Sequence, residues 1–129
     1  MILSIDRSKY LHIEKLNNWP GILDSSLEFL RNSWRTKWIG LPEILETCIS
    51  ELISLEDQAS QPIKELLECA RHIALNIEKV APLSWEPSYH NRLHTSDALT
   101  GLTVLLAIER ERSGVLDAYW MSLLIFTVT

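Results

Sequence analysis

"PIKELLECARHIALNI", residues 62–77, decides the fold class. Its apolar residues Ile63, Leu66, Leu67, Ala70, Ala74 and Ile77 recur at the three- and four-residue spacing that lines one face of a helix. Pro62 stands at the start, where its missing N–H costs nothing. The same spacing recurs on both sides. Upstream, Ile44, Leu45, Cys48, Ile49 and Leu52 form a stripe behind Pro42, and the polar stretch "DQASQP" at 57–62 separates the two helices as a loop. Before Gly40, the residues Leu23, Leu27, Leu30, Trp34 and Trp38 predict another helix, preceded by a break at "WPG", 19–21. A first helix over about residues 5–17 would turn Tyr10, Ile13 and Leu16 inward.

Downstream, Pro82 and Pro87 bracket a connector, "PLSWEP". Helical spacing resumes at about residue 88 and runs through Ile108, and "ERERSG" at 109–114 closes it with Gly114 as the C-terminal cap. The final piece, "VLDAYWMSLLIFTVT" at 115–129, is too short to span a bilayer and carries Asp117 near its start. A helix apolar on nearly every side belongs in the middle of a core. Here it is the last segment of the sequence, so the domain is expected to be truncated inside a core helix. Strand signals are weak. The expected fold is all-α, an orthogonal multi-helix bundle of about six helices in one domain over 1–129, with 1–86 as a helical lead-in and 87–129 as the motif-bearing helices.

Composition narrows the function. The chain has 129 residues, 47% of them hydrophobic and 22% charged, with a net charge of -5. Residues 1–64 carry seven Lys/Arg against nine Asp/Glu, and residues 65–129 five against eight. Neither half is basic, which argues against nucleic-acid binding. An anionic phosphate-bearing substrate would need a metal ion to supply positive charge locally. Cys48 and Cys69 form no metal-type pair; both sit within apolar helical patterns and read as small buried hydrophobes in a reducing compartment. "MILSIDRSKY" lacks a basic n-region and a long apolar core, so no signal peptide, no membrane association and a cytoplasmic location are expected.

"PSYHNRLHTSD", 87–97, carries the chemistry. His90 and His94 are four residues apart, a spacing that puts both on one face of a helix, and Asp97 follows three residues later. Imidazole is a common ligand for divalent metals, and a carboxylate serves as ligand or as partner to a ligand. A bare HxxxH pair more often marks surface or structural histidines. The rest of the stretch adds to it. "YHNRLHTSD" resembles the signature of the class I 3',5'-cyclic nucleotide phosphodiesterases, members of the HD-domain superfamily of metal-dependent phosphohydrolases. In that signature Tyr-His-Asn is followed by two residues, a metal-binding His, two small residues and an Asp. Tyr89, His90, Asn91, His94 and Asp97 match in register; Thr95 and Ser96 stand where alanines are common. "EPSYHN" is similar to the entry into that motif and "ALTGLTVLLAI" to the helix behind it, so the resemblance is specific over 87–129 and only topological over 1–86.

The resemblance implies a metal-dependent phosphoester hydrolase with divalent ions, zinc with magnesium or manganese, and a small phosphoester such as a cyclic nucleotide as substrate. It implies that His94 is a metal ligand and that His90 is a catalytic proton donor to the departing oxygen. Asn91 and Asp97 would orient the histidines, and Tyr89 would pack beside the site. It also implies a His-Asp pair about 36 residues beyond His94, just past Thr129. The sequence contains no His-Asp dipeptide. One metal-binding histidine and one proton donor do not hold two metals, so this chain alone is expected to be inactive. The other expectation is a non-catalytic helical module derived from an HD domain, dimerising or regulatory, with its apolar C-terminal helix buried against a second copy.

Other conspicuous residues have plainer readings. His12 and His72 have no neighbouring second ligand and read as structural or surface histidines. The five tryptophans read as core packing rather than base stacking. "RNSWRTKW" at 31–38 reads as a solvated face opposite a core stripe, with contact to anionic lipid or a partner the less favoured reading.

Overall fold

The structure, a computed structural model, describes Asp24, Glu28, Asn32 and residues 38–80 and 91–129. The described residues are helical, with no strand among them. Among the described residues from 38 onward, five helices follow one another: α1 (Leu41–Leu52), α2 (Leu55–Gln58), α3 (Gln61–Val80), α4 (Arg92–Ser113) and α5 (Ala118–Val128). The all-α expectation holds. The helix expected over 5–17, the stripe from Leu23 to Trp34 and the connector at 82–87 lie outside the described residues. Asp24, Glu28 and Asn32 are helical and exposed, the polar side expected of a helix before Gly40.

α1 is the centre of the core. Leu41, Ile44, Leu45, Cys48, Ile49 and Leu52 are all buried, and they repeat at the spacing that aligns one helical face. Each fully buried Leu or Ile contributes about 1.5–3 kcal/mol of apolar transfer free energy. α3 lies antiparallel to α1, with Arg71 paired to Glu46 midway and Glu78 reaching Leu41 at the end. Its buried residues are Ile63, Leu67, Ala70 and Ala74, four of the six expected; Leu66 and Ile77 are half-buried. α4 runs alongside α1 in the same sense. Cys48 Sγ lies 3.8 Å from the Leu99 carbonyl, and Arg110 donates to the Glu51 and Leu52 carbonyls at 3.2–3.4 Å. α5 packs against α1, α3 and α4.

The ends of α1 are fastened by groups distant in sequence. Gly40 at the N-cap has φ +97 and ψ +142 and offers no capping side chain. That backbone conformation is nearly exclusive to glycine. Glu78 supplies the missing cap, its Oε2 accepting from the Leu41 N–H at 3.0 Å. At the other end Arg110 meets the carbonyls of the last turn. A carboxylate at the N-terminus and a guanidinium at the C-terminus both match the helix dipole.

Several boundaries differ from expectation. The polar stretch 57–62 is mostly helical, because Ser54 caps the one-turn α2 by accepting from the Asp57 N–H at 3.1 Å, and α3 starts at Gln61. α4 continues five residues past Ile108 to Ser113; Gly114 caps it at φ +86, as expected. Asp117 caps α5 by accepting from the Trp120 N–H at 3.0 Å. α5 does not lie wholly inside the core: Met121, Ser122 and Ile125 are buried, while Tyr119, Trp120 and Leu124 are exposed. Cys69 is exposed rather than buried, since it falls one position outside the stripe of Leu67 and Ala70. No helix among the described residues is long and apolar enough to cross a membrane.

Candidate functional site

The histidine motif sits at the beginning of α4. Asn91 is the N-cap, with extended backbone at φ −124 and ψ −179, and its Oδ1 accepts from the His94 N–H at 2.9 Å. Its carbonyl accepts from the Thr95 N–H at 3.1 Å. Asparagine is among the best residues for this position because its side chain satisfies an amide that has no intrahelical partner. Asn91 thus fixes the backbone of His94 in the first turn of α4, a contact distinct from the orientation of imidazole rings that the resemblance implies.

The helix starts at Arg92, and Asn91 is not helical. His90 and Tyr89 lie outside the described residues. His94 and Asp97 do share the first turns of α4, three residues apart, and both are half-buried. Between them Ser96 is fully buried, facing the core. Its Oγ has no hydrogen-bond partner among the described residues. Thr100, Thr103, Val104, Ala107 and Ile108 continue that buried side.

A network beside the motif was not anticipated from the sequence. Glu78 Oε1 accepts from Trp38 Nε1 at 2.8 Å and from Arg92 Nη1 at 3.0 Å. The Arg92 guanidinium also lies 5.5 Å from the centre of the Trp38 ring, within cation–π range. Burial pushes the Glu78 carboxyl up, but the Leu41 amide, the Trp38 indole and the Arg92 guanidinium outweigh it and hold the carboxyl below its ordinary value. The sequence held one signal for this network: a glycine N-cap before Pro42, which leaves α1 in need of a cap from elsewhere.

Among the described residues no three His, Cys, Asp or Glu side chains gather closely enough to hold a metal ion. His94 and Asp97 supply an imidazole and a carboxylate on adjacent turns, a fit to part of a metal's donor set. His72 is exposed on α3, in keeping with a surface histidine. No protein-family model, curated protein or solved structure matches the chain.

Proposed function

We propose that the chain carries the first part of the active site of a metal-dependent phosphoester hydrolase, similar to the cyclic nucleotide phosphodiesterases within the HD-domain superfamily. The carrying observation is the motif from Tyr89 to Asp97, together with the Asn91 cap that holds His94 in the first turn of α4. In this reading His94 is a metal ligand, Asp97 orients it or its metal, and His90 donates a proton to the leaving oxygen. The zinc, magnesium or manganese ions of such a site activate water and neutralise phosphate charge. The net charge of -5 makes that neutralisation necessary for an anionic substrate. The remaining ligands of such a site are not among the described residues, where no third His, Cys, Asp or Glu joins His94 and Asp97.

The test is hydrolysis of cyclic nucleotides and of an aryl phosphodiester by the product of the complete reading frame, with manganese, magnesium or zinc. Metal-stimulated turnover that His94→Ala abolishes is expected, with none from the 129-residue chain alone. Turnover that survives His94→Ala, or no turnover with any of the metals, would refute the proposal.

One observation favours a second reading, a non-catalytic module that self-associates. Tyr119, Trp120 and Leu124 present an exposed apolar side on α5. Sedimentation of the pure chain separates the readings: a discrete dimer dissociated by Trp120→Glu supports the module, and a monomer argues against it.

A further inference from the structure

We infer that Glu78 is a positioning residue for the motif helix: acting through Arg92, it sets where the first turn of α4, and with it His94, stands relative to α1. The inference rests on the reading of His94 as a site residue only for its consequence. The placement itself follows from geometry.

The first turn of α4 contains no acidic residue, and its first position is Arg92. A cation there opposes the positive end of the helix dipole, and the turn lacks the negative charge that would stabilise it. Glu78 provides that charge from another helix. The same carboxylate caps α1 through Leu41, whose own N-cap glycine cannot. One side chain thus serves the starts of two helices and ties them together. Trp38 closes the arrangement, donating to Glu78 while its ring lies against Arg92.

The tie is more than a surface ion pair, which by itself contributes little. The Glu78 and Arg92 side chains are only 23% and 25% exposed, and three donors converge on two oxygens. This acceptor count is specific. Glutamine has one acceptor oxygen, so Glu78→Gln places an NH2 against either Leu41 N–H or the Trp38 and Arg92 donors. Arg92 is two residues before His94, and Asn91, immediately before Arg92, caps the same turn by accepting from the His94 N–H. Release of Arg92 therefore frees the turn that carries the motif while the buried side of α4 from Leu99 onward stays packed on α1.

Amide hydrogen exchange on the 129-residue chain tests this, together with the His94 ring resonances by NMR. Arg92→Ala is expected to accelerate exchange at His94 and Thr95 about tenfold or more, leaving Leu99 to Val104 unchanged, as for opening of a local unit. The His94 ring resonances should shift in the same variant, and Arg92→Lys should restore them partly. Glu78→Gln should reproduce the pattern; Arg92→Ala keeps the test readable if Glu78→Gln does not fold, because Leu41 and Trp38 still find the carboxylate. Unchanged exchange at His94 and Thr95 overturns the inference. Uniform acceleration along α4 also overturns it, since the tie would then hold the whole fold rather than one turn. No hydrolysis is read, so this result and the outcome of the His94→Ala assay are separable.

Discussion

α1 and α5 are both apolar helices of similar length, with 12 and 11 residues, yet they sit in the core differently. α1 confines its apolar residues to one stripe and buries all of them. α5 is apolar on nearly every side and buries only Met121, Ser122 and Ile125, leaving Tyr119, Trp120 and Leu124 in contact with solvent. Burial follows the pattern of apolar residues and the neighbours available to them, not the apolar content. The two helices are also fastened differently. α5 is capped by its own Asp117, three residues from the amide it serves, whereas α1 is held by Glu78 and Arg110 from 37 and 58–59 residues away. A locally capped helix can form its end early and alone. A helix capped from a distance completes its ends only when the other helices dock.

The largest expected difference between them lies in truncations. Leu45→Ala, at a fully buried position on α1, should lower unfolding free energy by about 2–5 kcal/mol in denaturant titration. A loss under about 1 kcal/mol there would remove α1 from the centre of the core. Next comes the backbone of the α1 start. Gly40→Ala should cost about 1–3 kcal/mol through φ +97 alone, because the nearest atoms to an added Cβ are at ordinary contact distances of 3.7 and 3.9 Å. Strain, not crowding, is the cause, so Gly40→Asn should be as costly as alanine or milder.

The apolar register of α1 and α3 was legible because it depends only on spacing within one helix. So were the Gly114 cap and the helical character of the described residues. What depended on distant partners was not. Glu78 reads in the sequence as one more charge near a helix end, and nothing local shows that Leu41, Trp38 and Arg92 converge on it. Cys69 was misplaced because one position in a helix turns a side chain by roughly 100°, enough to leave the stripe. α2 was missed although Ser54 and Asp57 carry a capping signal, since the polar composition of 57–62 suggested a loop. Within the candidate site, the residue types were legible and their arrangement was not. Asn91 caps α4 at Arg92, a boundary that spacing alone does not reveal.

Smaller effects sharpen the same contrast. The folded-state pKa of Glu78 lies below its unfolded value, so its contribution is complete above the unfolded value and is lost as pH falls through the lowered one. Acid unfolding of the parent chain should therefore show a steeper limb than that of Glu78→Gln, compared by circular dichroism. Ser96→Ala removes a buried hydroxyl without a hydrogen-bond partner among the described residues, and should be neutral or stabilising by about 1 kcal/mol. Its measurement by thermal melting would contradict this assignment if the variant melted lower. Smallest of all, Leu124→Ser on the outer side of α5 should change stability by no more than about 0.5 kcal/mol, against the several expected for Leu45→Ala.

The proposed role of His94 as a metal ligand at the beginning of α4 is tested most directly by a manganese titration of the isotopically labelled chain. Paramagnetic broadening at millimolar metal should be strongest at His94 and Asp97, fade along α4 within two turns, and vanish in His94→Ala. Broadening centred on the exposed acidic residues of α3 and α2, or unchanged in His94→Ala, would contradict the claim.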